Sequence, residues 1–137
     1  MFFDIPRPKK PQVLPKMLSK SEVKRLLKVT TNIKHNVALQ LSYGMGLRIS
    51  EVVYLKITDI DSKRMLVHIR GAKGKKDRYV PLPVSILPKL RQYYVQYRPS
   101  EFLLEGQYGG AYAKSSLQQV FKNAMKKAGI QKNNGIN

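Results

Sequence analysis

The sequence predicts an α+β fold that is mostly helical and carries a small three-stranded antiparallel sheet in its middle. Apolar residues recur at helical spacing before residue 55 and again after residue 83, whereas they alternate with polar residues in three short segments between. A turn with two glycines joins the last two of these segments, which favours a β-hairpin. With 137 residues, the chain is long enough for one domain with a hydrophobic core.

The first helix is predicted to begin after Ser19, because Ser19 and Glu22 have the spacing of a capping box ahead of an apolar helical run. This helix should end near residue 31. A second helix is predicted to begin between residues 32 and 34. The residues that it should turn toward the core are Val37, Ala38, Leu41 and Met45.

The stretch 41–55, LSYGMGLRISEVVYL, is predicted to hold an anion. Gly44 and Gly46 let the backbone turn sharply where a side chain would clash. Arg48 follows at the start of another short helical pattern, where backbone N–H groups are free and the helix dipole is positive. Its guanidinium can bind a phosphate through two hydrogen bonds at once. The alternative is a surface arginine that follows a C-capping glycine.

Three strands are predicted at residues 56–61, 65–70 and 78–82, where apolar and polar residues alternate. Pro81 should end the third strand, because proline has no N–H for the sheet ladder. The sequence GAKGKKD at 71–77 joins the second and third strands, and it predicts a hairpin with an extended, basic tip.

Helical spacing returns after Pro83 and is stopped by Pro99. The tyrosines of this helix are expected to be core or part-buried packing residues: Tyr93, Tyr94 and Tyr97. The last helix is predicted to start with a capping box of Ser115 and Gln118 and to end at Gly129, in the left-handed conformation that caps helices.

The charge balance predicts a polyanionic partner. The chain has 26 Lys and Arg residues against 8 Asp and Glu residues, a formal net charge of +18, which repels itself in a compact fold. Nucleic acid is favoured over membrane, because no apolar stretch approaches the length of a membrane span. Without cysteine and with two isolated histidines, the sequence predicts no metal site, no cofactor and an intracellular, cytoplasmic location.

Four motifs together resemble the tyrosine recombinase, or phage integrase, family in its Xer-like branch. They are LSKSEVKRLL at 18–27, LSYGMGLRISEVVYLKITDID at 41–61, HIRGAKGKKDRYVPLP at 68–83 and SSLQQVFKNAMKKAGI at 115–130. The resemblance implies a site-specific recombinase whose tyrosine attacks a DNA phosphodiester and leaves a 3′-phosphotyrosine. It therefore implies double-stranded DNA as partner and self-association into the family's tetrameric synapse.

The resemblance also implies roles for individual residues. Arg48 matches the first of two family arginines that stabilise the pentacoordinate phosphorane. Lys73 matches the general-acid lysine that protonates the leaving 5′-oxygen. Glu51 matches an acidic residue that supports the site from behind, with a simple helix-dipole role as the alternative. Lys75, Lys76 and Arg78 are expected to contact backbone phosphates or, alternatively, to form a solvated turn. A further alternative is that Asp77 and Arg78 brace the hairpin by ion pairing.

The sequence also departs from the family pattern. It contains no His-x-x-Arg motif, and none of its tyrosines has a nucleophile-like setting. We therefore expect a basic proline-rich linker at 1–17 and a partial catalytic domain at 18–137 that is inactive alone. We also expect the apolar faces of residues 37–45 and 117–125 to lack cover, which would favour dimerisation or a helix swap.

Two other functions fit the composition. One is a non-catalytic basic DNA-binding module, such as a degenerate integrase remnant. The other is an RNA-binding or ribosome-associated basic protein, which would have no reason to pair Arg48 and Lys73 on one face.

Overall fold

The computed structural model describes residues 18–71 and 76–130. Helices flank a small central sheet in these ranges, as the sequence predicts. The α-helices are α1 (Lys20–Val29), α2 (Ile33–Leu39), α3 (Ile49–Val53), α4 (Leu87–Tyr97) and α5 (Lys114–Ala128). The strands are β1 (Ile60–Asp61), β2 (Leu66–Ile69) and β3 (Arg78–Pro81). A π-helical turn (Gln40–Gly44) continues α2, and a 3₁₀ turn (Ile57–Asp59) precedes β1.

The sheet is antiparallel in the order β1-β2-β3, which confirms the predicted three-stranded sheet. Val67 in the central strand pairs with Ile60 on one side and with Val80 on the other. Because Val67 is fully buried, this register fixes which face of the sheet meets the helices. The third strand ends at Pro81, as expected.

Two predicted helix ends are confirmed. The Ser19 backbone N–H donates to Glu22 Oε1 over 2.8 Å, and the Glu22 N–H donates to Ser19 Oγ over 3.1 Å, which completes the capping box. At the other end of the chain, Gly129 caps α5 with a φ of 74°, in the left-handed region.

The predicted strand over residues 56–61 is wrong for most of its length. Lys56 makes only a single bridge to Phe102, and the chain then turns as a 3₁₀ helix before the two residues of β1. Burial does not follow the predicted alternation, because Asp59 is a buried polar residue, 5% exposed, whereas Ile57 and Ile60 are half-buried. Its carboxylate closes the turn by accepting the Lys56 backbone N–H over 2.8 Å.

The predicted capping box at Ser115 and Gln118 is also wrong. The helix α5 begins at Lys114, two residues earlier than a Ser115 N-cap would place it, with Ala113 as its N-cap and no capping side chain. Ser115 therefore lies inside the first turn.

Only Tyr93 of the three tyrosines on α4 lies in the core. It is 1% exposed, and its hydroxyl donates to the Leu103 carbonyl over 2.6 Å. Burial raises the pKa of this phenol. Tyr97 stacks on Tyr93 with ring centroids 4.9 Å apart, yet it is 41% exposed, and Tyr94 is 42% exposed.

The two apolar faces that were expected to lack cover are buried. The helix α5 contacts α1, α2 and α3, and α2 contacts α4. Core residues of these faces are between 0 and 7% exposed: Val37, Ala38, Leu39, Leu41, Leu117, Phe121, Ala124 and Met125. The predicted exposed patch is therefore absent at these positions. Within residues 18–71 and 76–130, no helix combines the length and apolarity that crossing a membrane requires.

Candidate functional site

Arg48 is placed by an irregular connection between α2 and α3. The π-helical turn ends at Gly44, and Gly46 then adopts a φ of 70°, which favours glycine. Leu47 is buried, at 4% exposed, and its backbone is tied by a hydrogen bond from its N–H to the Leu41 carbonyl over 3.4 Å. The buried leucine anchors the connection, so the next side chain, Arg48, emerges at the surface.

Arg48 lines a cavity of about 600 Å³, a volume within the size range of small-ligand pockets. Parts of α3, β2, β3 and the start of α5 form its walls. The residues that line it are Arg48, Ser50, Glu51, Tyr54, Leu55, Asp59, His68, Ile69, Arg70, Gly71, Lys76, Arg78 and Lys114.

Glu51 links Arg48 to Arg78. One carboxylate oxygen, Oε1, accepts the Arg48 backbone N–H over 3.0 Å. The Arg78 guanidinium donates to both oxygens, over 2.7 Å to Oε2 and 3.1 Å to Oε1. The Arg78 side chain lowers the pKa of Glu51, and the Arg48 N–H adds to this effect. This carboxylate therefore caps the start of α3 and braces the start of β3.

Because Glu51 occupies the N–H group at the start of α3, the predicted anion would meet the Arg48 side chain rather than a free helix end. None of the ion pairs formed in residues 18–71 and 76–130 involves the Arg48 guanidinium. The guanidinium remains available for an external anion.

A second carboxylate, Asp59, lies at the floor of the cavity. Its Oδ1 accepts a hydrogen bond from the Arg70 guanidinium over 2.8 Å and lies 3.7 Å from Nδ1 of His68. An Asp with 3% of its side chain exposed requires such partners, because an unpaired buried charge is costly. Asp59 thus holds Arg70 against the cavity wall.

Asp77 ties the two ends of the β2–β3 connection together. Its Oδ1 accepts the Gly71 backbone N–H over 2.8 Å, and its Oδ2 lies 2.8 Å from Nε2 of His68. The Gly71 N–H and then His68 lower the pKa of Asp77. The His68 ring also stacks on Tyr79, with centroids 5.0 Å apart. Asp77 thus braces the hairpin base through a backbone N–H and an imidazole, whereas the Arg78 guanidinium binds Glu51 instead.

Ion pairing inside the cavity engages two of its arginines and leaves its other cationic side chains without a carboxylate partner among the described residues. Its two carboxylates, Glu51 and Asp59, already hold Arg78 and Arg70. The remaining cations of the lining have no ion-pair partner in the described part of the chain: Arg48, Lys76 and Lys114. The cavity therefore has a positive excess that suits a phosphate-bearing ligand.

Four residues expected at the site line this one cavity: Arg48, Glu51, Lys76 and Arg78. Lys73 and Lys75 lie outside the described residues. The guanidinium of Arg78 is held by Glu51 of α3, so it links the start of β3 to that helix.

Sequence reasoning missed other residues of the site: Asp59, His68, Asp77 as a partner of His68, and Lys114. Each depends on a contact between distant segments, which periodicity does not reveal. Asp59 offered no signal either, because a charged residue at a position where alternation predicts exposure suggests an ordinary surface side chain. Within residues 18–71 and 76–130, no three His, Asp or Glu side chains form a cluster suited to a metal ion.

Comparisons with known proteins agree with this architecture. The chain is 47% identical over 88 residues to the tyrosine recombinase XerA of Thermococcus kodakarensis, which covers 63% of the chain and 31% of that protein. The crystal structure of a XerA recombinase matches with a TM-score of 0.75 and 29% identity, over 91% of the chain and 46% of that structure.

The fold also matches XerH, a site-specific recombinase solved bound to its difH substrate in a pre-cleavage complex. The TM-score is 0.71 at 22% identity, over 87% of the chain and 38% of that structure. The chain thus spans less than half the length of each of these proteins. The sequence profile of the phage integrase family matches residues 16–135, and the chain belongs to this family of tyrosine recombinases.

Proposed function

We propose that the chain is part of the catalytic domain of a site-specific DNA recombinase. The intact protein would break and rejoin DNA through a 3′-phosphotyrosine. Family membership supports this reaction class, and the basic cavity supports DNA as the ligand.

The observation that carries the proposal is that the guanidinium of Arg48 is available to a ligand. This guanidinium is exposed and forms none of the ion pairs of the described ranges, although its charge helps to lower the pKa of Glu51. The carboxylates of its cavity already hold other arginines. A guanidinium aimed at the non-bridging oxygens of a phosphodiester stabilises the extra negative charge of the phosphorane. Arg48 is the residue that we assign to this role.

Glu51 is assigned to positioning Arg48. It holds the Arg48 backbone N–H and leaves the side chain to the ligand, because Arg78 occupies its oxygens. A carboxylate without that partner would compete with DNA for the guanidinium of Arg48.

We assign Lys73 as the general acid for the 5′-oxygen and Lys75 as a phosphate contact. Gly71 and Lys76, the described residues on either side of this segment, both line the Arg48 cavity, which supports the assignment. Lys76 is a further phosphate contact. Arg78 would contact DNA with the part of its guanidinium that Glu51 leaves exposed, since the side chain is 51% exposed.

The remaining assignments concern the whole protein. Residues 1–17 would form a basic linker and residues 18–137 a partial catalytic domain. The partner is double-stranded DNA in the cytoplasm, and recombination would require self-association, as in the family.

Binding to a random-sequence duplex at several salt concentrations tests the proposal. The logarithm of the affinity should fall steeply with the logarithm of salt, by about 0.9 for each phosphate contact. R48A should make this slope shallower by about 0.9, the value of one phosphate contact. Arg91→Ala on α4 is the matched control, because it removes the same charge outside the cavity. Equal slopes for R48A and R91A would contradict the role of Arg48, and affinity that hardly changes with salt would contradict DNA binding.

A further experiment tests the expected lack of activity. The 137-residue chain should form no covalent adduct with a nicked duplex of a family recombination site, because its sequence offers no His-x-x-Arg motif. Denaturing electrophoresis of labelled DNA would reveal an adduct. A retarded, protease-sensitive band would show that these residues contain a complete catalytic set.

A further inference from the structure

We propose that His68 makes ligand binding in the Arg48 cavity depend on pH. As an imidazolium, the His68 ring joins Asp59 in the floor of the cavity to Asp77 at the base of the β2–β3 connection, and it adds a positive charge to the cavity wall. The inference rests on the proposed function for its ligand, DNA. The brace itself consists of contacts within the chain, so it can be tested without DNA.

Both ring nitrogens of His68 face carboxylate oxygens. Nε2 lies 2.8 Å from Oδ2 of Asp77, and Nδ1 lies 3.7 Å from Oδ1 of Asp59. A neutral imidazole has one N–H and can donate to only one of these carboxylates, whereas an imidazolium has two. The longer distance exceeds that of a hydrogen bond, so attraction across it requires a charged ring. The geometry therefore suits the protonated ring better than the neutral one.

Other donors already hold the two carboxylates in place. Oδ1 of Asp59 accepts the Arg70 guanidinium, and its Oδ2 accepts a backbone N–H, both over 2.8 Å. Asp77 accepts the Gly71 N–H over 2.8 Å. The Asp59 side chain is 3% exposed, whereas that of Asp77 is 53% exposed. A charge on the His68 ring would therefore tie the exposed hairpin base to a fixed, buried anion.

The remaining titratable groups around the ring lie on two sides of it. On the side of the Arg48 cavity they are Glu51, Arg70, Lys76, Arg78 and Lys114. On the other side, in a second cavity of about 330 Å³, they are Asp61, Arg64 and Tyr79. Tyr79 stacks on the ring with centroids 5.0 Å apart, a position in which an aromatic face attracts a cation.

The charge of the Arg48 cavity couples the proton to the ligand. Its carboxylates hold Arg78 and Arg70, so the lining has an excess of cations, which opposes a further positive charge on His68. Phosphates that enter the cavity would cancel this excess. DNA should therefore favour the proton on His68, and by linkage the proton should favour DNA to the same extent.

The presence of only two histidines in the chain makes the test specific. His35 lines a separate groove together with Asn123 and Lys127. Burial and then the charge of Lys34 lower the pKa of His35 from 6.5, so this ring is mostly neutral above that pH. The terminal amino group also titrates near pH 8, but it is common to all variants. His35→Gln is therefore the matched control for His68→Gln.

The first experiment measures duplex affinity at about pH 6 and about pH 8, at one ionic strength, across the range in which histidine changes charge. Wild type should bind about fivefold more tightly at the lower pH, the lower end of the usual coupling between two sites. H68Q has a neutral side chain at both pH values and should lose most of this dependence, whereas H35Q should keep it. Equal dependence in wild type and H68Q would overturn the proposal, as would its loss in H35Q.

The second experiment tests the brace by hydrogen exchange without DNA. Protection of the Gly71 amide, relative to an unstructured peptide at the same pH, should be greater at about pH 6 than at about pH 8. This difference should vanish in H68Q, while the Val80 amide within the paired strands serves as the reference. D77N removes the charge that faces Nε2 and should also abolish the difference, which keeps the brace testable if circular dichroism shows that H68Q does not fold.

The outcomes separate the two proposals. If neither affinity nor Gly71 protection depends on pH through His68, the inference is overturned and the proposed function stands. If Gly71 protection depends on it and affinity does not, the coupling to DNA is overturned. If wild type binds no duplex at either pH, the proposed function fails, and hydrogen exchange alone decides the brace.

Discussion

At the scale of single residues, Glu51 organises the site. The same carboxylate accepts the Arg48 backbone N–H and both donors of the Arg78 guanidinium, although 27 positions separate Glu51 from Arg78. Its side chain is 15% exposed, so these bonds are partly sheltered from water. A planar fork matched to a carboxylate is a strong and geometrically specific pair.

Replacing Glu51 by Gln should destabilise the fold by about 1 kcal/mol at neutral pH, because it removes a charge-assisted bidentate pair. The pKa of Glu51 is lowered in the folded state from its ordinary value of 4.5. The stabilisation is therefore complete above pH 4.5 and is lost as the pH falls through the lowered pKa. Urea unfolding at several pH values measures it, and the difference between wild type and E51Q should shrink in acid.

The control is Glu101→Gln, which removes a carboxylate that is 60% exposed and paired with Lys56. An exposed pair contributes little, so E101Q should stay close to wild type. A difference between wild type and E51Q that persists unchanged well below pH 4.5 would show that the Arg78 pair is not the cause.

At the scale of elements, the β2–β3 hairpin depends on contacts at its base. Main-chain pairs from Leu66 to Ile69 set the register of the two strands. Beyond the last pair, Asp77 is the acceptor that holds the Gly71 N–H, and it also engages His68. The position of Gly71, at the end of the paired strand, therefore depends on one exposed carboxylate.

The variant D77A should speed hydrogen exchange of the Gly71 amide, because it removes the acceptor of that N–H. The Val80 amide should keep its protection in the same experiment, since Val80 lies within the paired strands. D77N is the conservative partner: its side-chain oxygen can still accept the bond, so the Gly71 amide should exchange at an intermediate rate. Unchanged Gly71 exchange in D77A would contradict the bracing role.

The end of α5 offers a separate check on local structure. Gly129→Ala should destabilise the protein by about 1 kcal/mol, because a side chain is strained at a φ of 74°. Gly129→Asn should cost less, since asparagine tolerates the left-handed conformation. Thermal unfolding compares the two, and equal stability of G129A and wild type would show that the cap contributes nothing.

The elements that could be predicted from the sequence are those set by neighbouring residues. The capping box of Ser19 and Glu22 spans three positions, and Gly129 caps through its own backbone, so both are visible in the sequence. Ser115 and Gln118 have the same spacing as a capping box, yet the helix begins at Lys114, because side-chain spacing does not determine where the backbone enters the helix. The first predicted strand failed for a related reason, since a short alternation of apolar and polar residues does not determine whether the backbone turns as a 3₁₀ helix.

The site itself could be predicted only in part. Arg48 was visible because the glycine break lies beside it in the sequence. The pairs of Glu51 with Arg78 and of Asp59 with Arg70 require the fold to bring distant segments together. Lys114 joins the site only because α5 packs against α3, a contact with no local signal in the sequence.

At the scale of the whole molecule, one core supports a strongly cationic surface. Buried side chains from every α-helix meet in this core, including Leu26 of α1 and Phe121 of α5. The net charge of +18 repels itself, so apolar burial must offset that repulsion. Phe121 is 0% exposed, and the centroid of its ring lies 6.0 Å from the ring centroid of Tyr43 in the π-helical turn. It thereby connects α5 with the segment that leads to Arg48.

Phe121→Ala should lower the free energy of unfolding by about 3 to 5 kcal/mol, the usual loss for a buried aromatic side chain. Lys122→Ala, at the next and exposed position, should stay within about 0.5 kcal/mol of wild type. Urea unfolding measures both. A loss for F121A as small as that for K122A would contradict the packing of α5 described above.

The central claim is that the cavity around Arg48 receives DNA. Mapping amide chemical-shift changes by NMR, while a short duplex is added to the labelled chain, tests it most directly. The changes should concentrate at amides of the cavity, such as those of Ser50, Gly71 and Lys114. They should be small in the separate groove that Thr30, His35 and Asn123 line. Changes concentrated in that second groove, with the cavity amides unmoved, would contradict the account.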